Sequence, residues 1–255
     1  MSNALIAYSG GVDSTLLAKL ALDELGKNAT AVIITSPTLP ERELKEARDL
    51  ANQIGIELIE MASDEIDLPE YSANTDRRCY ICKDHRYRML RKFADENGFQ
   101  TILDGSNADD LDDFRPGHKA VKEQGVRSLL QESDFSKAEI RELAEEMGLS
   151  NFDKPSSACL ASRIPYGSII TSDTLSQIEE AEEFLIQIGF RQLRVRHHGD
   201  IARIEVPPED FIELINNREK ITQKFIEIGY SYITLDLRGF RSGSLNEGLM
   251  TNGSK

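Results

Sequence analysis

One short segment near the N-terminus, residues 9–14 with the sequence SGGVDS, constrains this chain more than any other feature. It follows an apolar run at residues 5–8 and precedes a pattern that predicts a helix from about residue 14. Glycines let backbone N–H groups approach an anion closely, and a helix N-terminus adds partial positive charge. The segment therefore predicts a phosphate-binding loop, although a plain glycine turn before a helix stays open. The candidate phosphate ligands are Ser9, Gly10, Gly11, Asp13 and Ser14, with Asp13 also a candidate Mg²⁺ ligand.

Predicted strands and helices alternate through the first part of the chain. The strands lie at 5–8, 30–35, 56–61 and 101–103, and the helices at 41–54, 83–96 and 136–147. Ser136 and Glu139 have the spacing of a capping box for the last of these helices. This alternation predicts an α/β fold with a doubly wound parallel sheet covered on both faces.

The pattern changes after residues 151–167, which we interpret as an ordered hinge. Beyond it we predict helices at 173–188 and 209–228 and strands at 191–195, 202–206 and 232–235, which together describe a smaller α+β unit. We therefore expect two domains, 1–165 and 166–255, with a loose tail from residue 246.

Charge and hydropathy narrow the class of protein. The chain has 30 basic and 44 acidic residues, a net charge of −14, whereas binding through nucleic-acid phosphates needs a basic surface. Nucleic acid is therefore a disfavoured partner, although residues 77–92 form a local basic stretch. No apolar run approaches the roughly 20 residues that span a bilayer, and we see no secretory leader. We expect a soluble cytoplasmic protein.

Three cysteines, Cys79, Cys82 and Cys159, are an odd number, which argues against a disulfide scaffold. A CxxC pair with a third distant cysteine suits a [4Fe–4S] cluster that leaves one iron open to a further ligand such as sulfide. A zinc site with His85 as a fourth ligand and unligated structural thiols remain alternatives.

The loop at 9–14 resembles that of the PP-loop ATP pyrophosphatases, which cleave ATP to AMP and pyrophosphate and leave an adenylated substrate. The resemblance implies ATP at the carboxyl ends of the strands of a doubly wound sheet. It also implies that Thr35 contacts the adenosine and that Gly105, in the segment 104–107, belongs to a second loop that closes on the nucleotide.

Longer segments, at 78–83, 158–166, 194–196, 202–205 and 237–244, look like those of the LarE family. The resemblance implies a sulfurtransferase in the assembly of the nickel-pincer nucleotide cofactor of lactate racemase. ATP would adenylate a carboxylate of pyridinium-3,5-biscarboxylic acid mononucleotide, a nicotinate-derived nucleotide, and sulfur would displace AMP to give a thiocarboxylate. A homo-oligomer is also implied.

The family divides over the source of the sulfur. Members with one cysteine at the position of Cys159 sacrifice that side chain, whereas members that also have a CxxC look built for a cluster that carries sulfide. Cys79 and Cys82 place this chain in the second group. The donor that would reload the cluster cannot be read from the sequence.

Several charged residues are candidates for substrate binding. Arg194 and Arg196 are two positions apart, so on a strand they share a face and suit a phosphate clamp, although a solvated basic face is the alternative. The other candidates are Lys83 and Arg163 for phosphate or carboxylate, Glu182 as an acidic residue for a metal, and Arg241, the last two projected from the resemblance. His197 and His198 receive no role. A tRNA thiolase of the same superfamily and a non-catalytic nucleotide sensor remain alternative functions.

Overall fold

The structure is a computed structural model that describes residues 1–111, 121, 123–155 and 157–241. It divides the chain into two compact units, Met1–Ser157 and Ala158–Lys255. The sequence put this boundary at 165. The division comes earlier because the short 3₁₀ turn Leu160–Arg163 packs against a helix and a strand of the second unit. The tail predicted from residue 246 lies outside the described residues, as does residue 112 onward of the polar, acidic segment 104–117, which the sequence predicts to be a loop after the fourth strand.

The first unit is built on a parallel four-stranded sheet of order β3-β2-β1-β4. Its strands are β1 Ala4–Tyr8, β2 Ala29–Thr35, β3 Glu57–Ala62 and β4 Ile102–Asp104. The described helices are α1 Val12–Leu25, α2 Glu41–Ile54, α3 Pro69–Ser72, α4 Arg78–Asn97, α5 Leu129–Glu132 and α6 Lys137–Glu146.

Helices cover both faces of this sheet. Ile6 of β1 packs in a core with Leu16 of α1 and Ala47 of α2, whereas the neighbouring Leu5 packs in a second core with Leu90 of α4. Successive side chains of a strand point to opposite faces, so each face of β1 meets its own layer of helices. The doubly wound α/β prediction is confirmed.

Two helices begin earlier than the sequence pattern indicates. Helix α1 starts at Val12, and α4 starts at Arg78 instead of residue 83, so the CxxC pair lies inside the first turn of α4. The backbone N–H of Arg78 donates to Thr75 O at 3.0 Å, which begins the turn before the apolar periodicity is visible.

The predicted capping box of α6 is confirmed: Glu139 N–H donates to Ser136 Oγ at 3.3 Å, and Ser136 N–H donates to Glu139 Oε2 at 2.9 Å.

The second unit is a three-stranded mixed sheet of order β5-β6-β7 with helices packed on it. The elements are β5 Arg194–His198, β6 Ile201–Glu205, β7 Tyr232–Leu235, α7 Ser172–Gln187, α8 Phe211–Asn216 and α9 Arg218–Ile228. The helix predicted at 209–228 is divided at Asn217, whose side chain donates to Glu213 O at 2.9 Å and so competes with the helix backbone. The strand predicted at 191–195 lies three residues further along, at Arg194–His198. None of the helices in the described ranges is long and apolar enough to cross a membrane.

Candidate functional site

The loop between β1 and α1 is held by its own serines and by a close approach to α2. Ser14 Oγ accepts a hydrogen bond from Ser9 N–H at 3.2 Å and donates to Gly11 O at 3.1 Å. Gly10 has φ +71°, and a Cβ placed on it would lie 2.7 Å from Ala47 Cβ. Only glycine therefore fits at this position, because any side chain would collide with α2 and strain the backbone.

A second loop, after β4, packs against the first turn of α1. A Cβ on Gly105 would lie 2.9 Å from Ser14 N, so the absence of a side chain allows this approach. The preceding Asp104 is buried and accepts hydrogen bonds from Tyr87 Oη at 3.0 Å and Ser128 Oγ at 2.5 Å. Burial and the Asp104 carboxylate raise the pKa of Tyr87 well above its ordinary value, so its hydroxyl remains a donor. The two loops lie at the carboxyl ends of the neighbouring strands β1 and β4.

Lys137, which the sequence did not single out, and Asn107, from the predicted second loop at 104–107, hold the carboxylate of Asp13. Lys137 Nζ lies 2.5 Å from Asp13 Oδ2, and Asn107 Nδ2 donates to Asp13 Oδ1 at 3.3 Å. The Asp13 and Lys137 side chains remain 22% and 28% exposed, so both are accessible at the mouth of the loop. The only sequence signal for Lys137 was its position just after the helix cap Ser136.

The end of β2 leads into a buried polar network that reaches α4. Thr35 is partly exposed and donates to Met61 O at 3.4 Å. Beyond it, Arg86 of α4 donates to Ser36 Oγ at 2.9 Å and to Thr38 Oγ1 at 3.1 Å, and forms an ion pair with the fully buried Glu65. Burial alone would raise the pKa of Glu65, but the charge of Arg86 and the hydrogen bonds from Ser63, Arg86 and Ser36 together outweigh it, so the pKa is lowered. This network, which the sequence did not reveal, fixes α4 to the end of β2.

None of the three cysteines is in a disulfide. Cys79 is exposed and Cys82 partly exposed, and their spacing of three residues puts both on one face of the first turn of α4. Lys83 follows them and is partly exposed. Cys159 is exposed at the start of the Leu160–Arg163 turn, in the second unit. Within the part of the chain that the structure describes, no group of three or more His, Cys, Asp or Glu residues is arranged to hold a metal ion.

Arg163 and Glu182 form a buried pair that supports the backbone around Cys159. Arg163 Nε and Nη2 each donate to the Glu182 carboxylate at 2.9 Å, and Arg163 Nη1 donates to Ala158 O at 2.6 Å and Cys159 O at 3.1 Å. Glu182 Oε1 also accepts from Val195 N–H at 2.9 Å. These contacts favour positioning roles for both residues over the direct contacts with substrate or metal expected from the sequence.

Of the two arginines that the sequence placed on one strand face, one is paired with a carboxylate. Arg196 Nη2 donates to Glu205 at 2.9 Å, and Arg196 Nη1 donates to Ser162 O at 2.8 Å. Arg194 Nη1 donates to Leu193 O at 2.8 Å, and its guanidinium lies 5.0 Å from the centre of the Phe240 ring. Burial, with the nearby charge of Arg163, lowers the pKa of Arg194 to about 10. No ion pair joins Arg194 to a carboxylate among the described residues, which leaves it suited to an anionic ligand.

Arg241 is less available to an anionic ligand than Arg194, because its guanidinium contacts the protein's own backbone and a carboxylate. Arg241 Nη1 donates to Gly239 O at 2.9 Å, and Arg241 Nη2 lies 3.9 Å from Asp236. Its guanidinium is thus engaged with the turn at 236–239.

Comparisons with known proteins agree with this geometry. A family model described as NAD synthase matches residues 1–109. The chain is 44% identical to an uncharacterised protein of Synechocystis, over 96% of this chain and 92% of that protein. It is 41% identical to the pyridinium-3,5-bisthiocarboxylic acid mononucleotide synthase of Lactiplantibacillus plantarum, over 96% of this chain and 89% of that protein. A tRNA-specific 2-thiouridylase of Treponema denticola is 26% identical over 70% of this chain and 59% of that protein. The chain therefore belongs to the family of pyridinium-3,5-bisthiocarboxylic acid mononucleotide synthases, the LarE family of PP-loop proteins.

Proposed function

We propose that this protein is an ATP-dependent sulfurtransferase that adenylates a carboxylate of pyridinium-3,5-biscarboxylic acid mononucleotide and replaces AMP by sulfur. The observation that carries the proposal is the 41% identity to the synthase of L. plantarum over 96% of the chain. The phosphate loop with its Lys137–Asp13 pair supports the ATP-dependent step, and Arg194 supports a phosphorylated substrate.

The adenylation step suits the residues around the phosphate loop. A substrate carboxylate oxygen attacks the α-phosphorus of ATP, and the bond to the bridging oxygen breaks so that pyrophosphate leaves. The backbone N–H groups at the start of α1 and the ammonium of Lys137 stabilise the negative charge that develops on pyrophosphate. The carbonyl carbon of the acyl adenylate is then open to a sulfur nucleophile, with AMP as leaving group.

Asp13 fits a magnesium ion that accompanies the nucleotide. Its carboxylate is accessible and lies on the first turn of α1, and Mg²⁺ binds through one or two carboxylates and the substrate phosphates. Such an ion would neutralise phosphate charge during the attack. Lys137 and Asn107 orient the carboxylate through one oxygen each and leave further lone pairs available.

The sulfur, we propose, is held through the three cysteines on a [4Fe–4S] cluster. Cys79 and Cys82 fit this role because neither is in a disulfide and both lie on one face of one helical turn, and Cys159 adds a third exposed thiol. The cluster would supply a sulfide nucleophile. Sacrifice of the Cys159 sulfur is the alternative, and it leaves the CxxC pair without a role.

The test of the overall reaction is stoichiometric. Protein prepared anaerobically is incubated with ATP, Mg²⁺ and the bis-carboxylated mononucleotide, and pyrophosphate, AMP and thiocarboxylate are quantified. We expect equal amounts of all three. Asp13→Asn should abolish all three products, whereas Asp23→Asn, on the same helix and also paired with a lysine at 2.5 Å, should leave them unchanged. Pyrophosphate release without a sulfur-containing product would contradict the proposal.

The source of the sulfur needs a second experiment. Iron and sulfide are measured in anaerobically reconstituted wild type and in Cys79→Ala, Cys82→Ala and Cys159→Ala. About four irons and four sulfides per chain, lost in each variant, would support the cluster. A wild type without iron that loses one sulfur from Cys159 per product would support sacrifice instead.

Thiolation of tRNA is the second candidate function, supported by the partial similarity to 2-thiouridylases. The net charge of −14 weighs against it, since binding to an RNA backbone needs many cationic contacts. A gel shift with bulk tRNA distinguishes the two candidates, because nanomolar binding would favour thiolation of tRNA.

A further inference from the structure

Asn151 is a buried amide that contacts the phosphate loop from behind. Its side chain is 6% exposed, and Nδ2 donates to Gly10 O at 3.2 Å and to Thr15 Oγ1 at 3.1 Å. Because a carbonyl oxygen only accepts hydrogen bonds, the amide nitrogen and not the oxygen must face Gly10. The orientation of this side chain is therefore fixed by its surroundings.

The amide oxygen of Asn151 shows which contacts stabilise this side chain in its buried position. Its Oδ1 is buried and has no hydrogen-bond partner among the described residues. An unsatisfied buried acceptor is unfavourable, and it persists only where the rest of the side chain compensates. Here the compensation is the pair of hydrogen bonds donated by Nδ2, so donation to the loop is what stabilises the buried amide.

Because the peptide bond is planar, the hydrogen bond to Gly10 O also determines where the N–H of Gly11 points. Gly10 C=O and Gly11 N–H belong to one trans peptide and point in opposite directions. When Asn151 holds the carbonyl from behind, the Gly11 N–H is turned to the opposite side, where its contact with Ser9 Oγ is long, at 3.4 Å. This N–H is thus directed into the loop and only weakly engaged there.

A chain of hydrogen bonds makes this support rigid. From Asn151 it runs to Thr15 Oγ1, from Thr15 to Tyr8 Oη at 3.4 Å, and from Tyr8 to Ala47 O at 3.3 Å. Ala47 is also the residue against which Gly10 packs. The Gly10 residue is therefore fixed at its carbonyl by Asn151 and at its Cα by Ala47.

We propose that Asn151 is a positioning residue that orients the Gly10–Gly11 peptide so that Gly11 N–H donates to the pyrophosphate portion of ATP. The inference deepens the proposed function and rests on its ATP-dependent step. Loss of the Asn151 amide should therefore weaken the binding of pyrophosphate but not the binding of AMP.

Binding measurements with inorganic pyrophosphate and AMP, each with Mg²⁺, test this assignment. The proteins are wild type, Asn151→Ala, Asn151→Asp and the control Ser150→Ala, whose hydroxyl donates to Gln53 at 2.7 Å and does not contact the loop. We expect Asn151→Ala to weaken pyrophosphate binding about tenfold, the size of one lost hydrogen bond to a charged group. Asn151→Asp should weaken it further, because a carboxylate oxygen would face Gly10 O. AMP binding should change less than about twofold in all variants, since the pyrophosphate contact is absent.

The outcomes separate this inference from the proposed function. Asn151→Ala that binds pyrophosphate as wild type does, or that loses pyrophosphate and AMP equally, would overturn the positioning role. Neither result on the variant bears on whether the wild type releases pyrophosphate in step with product, so the proposed function would stand. A wild type that neither binds nor releases pyrophosphate would overturn both. Circular dichroism on each variant identifies any that fails to fold, and for such a variant Asn151→Ser replaces Asn151→Ala, with the same expected loss.

Discussion

The buried pair of Arg163 and Glu182 makes a prediction that distinguishes a structural carboxylate from a metal ligand. The perturbation is Glu182→Gln, which keeps the shape of the side chain and removes its charge. In the native protein Oε1 accepts from Arg163 Nε and from Val195 N–H, and Oε2 accepts from Arg163 Nη2, all at 2.9 Å. Glutamine retains the contacts of Oε1, but its amide nitrogen then faces the Nη2 donor.

The loss of unfolding free energy can be estimated from the burial of the pair and from the contacts that glutamine cannot make. The two side chains are 3% and 11% exposed, so solvent screens the pair little. Removing one partner of a buried ion pair costs about 3–5 kcal/mol, since an uncompensated charge remains. Glutamine retains two of the three hydrogen bonds, so we expect the lower end, about 3 kcal/mol of unfolding free energy. That corresponds to a change of about a hundredfold in the folding equilibrium.

The assay is urea denaturation followed by circular dichroism, because the chain contains no tryptophan. The control is Glu183→Gln, whose side chain makes an exposed contact with Gln187 at 3.2 Å and should change stability by less than about 0.5 kcal/mol. If Glu182→Gln unfolds with the same free energy as wild type while turnover is lost, the positioning role is refuted. That result would restore the role of metal ligand expected from the sequence.

Three further predictions concern the phosphate loop, the substrate cation and the histidines of β5. Gly105→Ala should lower pyrophosphate release at least tenfold and cost about 1–3 kcal/mol of stability, because its Cβ would lie 2.9 Å from Ser14 N; steady-state kinetics and denaturation check this. Arg194→Met should weaken substrate binding in titration calorimetry yet leave stability equal or higher by up to about 1 kcal/mol, since the mutation removes a partly buried cation that has no carboxylate partner within the described ranges. Unchanged affinity would remove Arg194 from the substrate site. Burial lowers the pKa of His197 below its usual 6.5, so the unfolded chain takes up the proton first and stability falls as pH drops below about 6.5. His197→Asn should flatten that decline in denaturation curves at pH 5 to 8, and an equally steep decline would show that another group is responsible.

Local patterns in the sequence determined the architecture and part of the site. The phosphate loop, the alternation of strands and helices and the capping box of α6 were all predicted, because each depends on residues within a few positions of one another. Residues 78–82 were harder, because the first turn of α4 has no apolar periodicity, and the CxxC was therefore placed before the helix instead of within it.

Only the tertiary structure decided which charged and polar groups are paired. Asp13 and Lys137 are 124 positions apart, and Gly10 and Asn151 are 141 apart, so no local spacing reveals either contact. The sequence likewise offered Arg194 and Arg196 as a clamp for a phosphate and Arg163 as a further candidate for binding an anion. The fold pairs two of them with Glu182 and Glu205, while Arg194 stacks on Phe240 and its pKa falls to about 10. The sequence determines which charges are present, whereas burial and long-range contacts determine which of them are neutralised by the protein itself and which remain for a ligand.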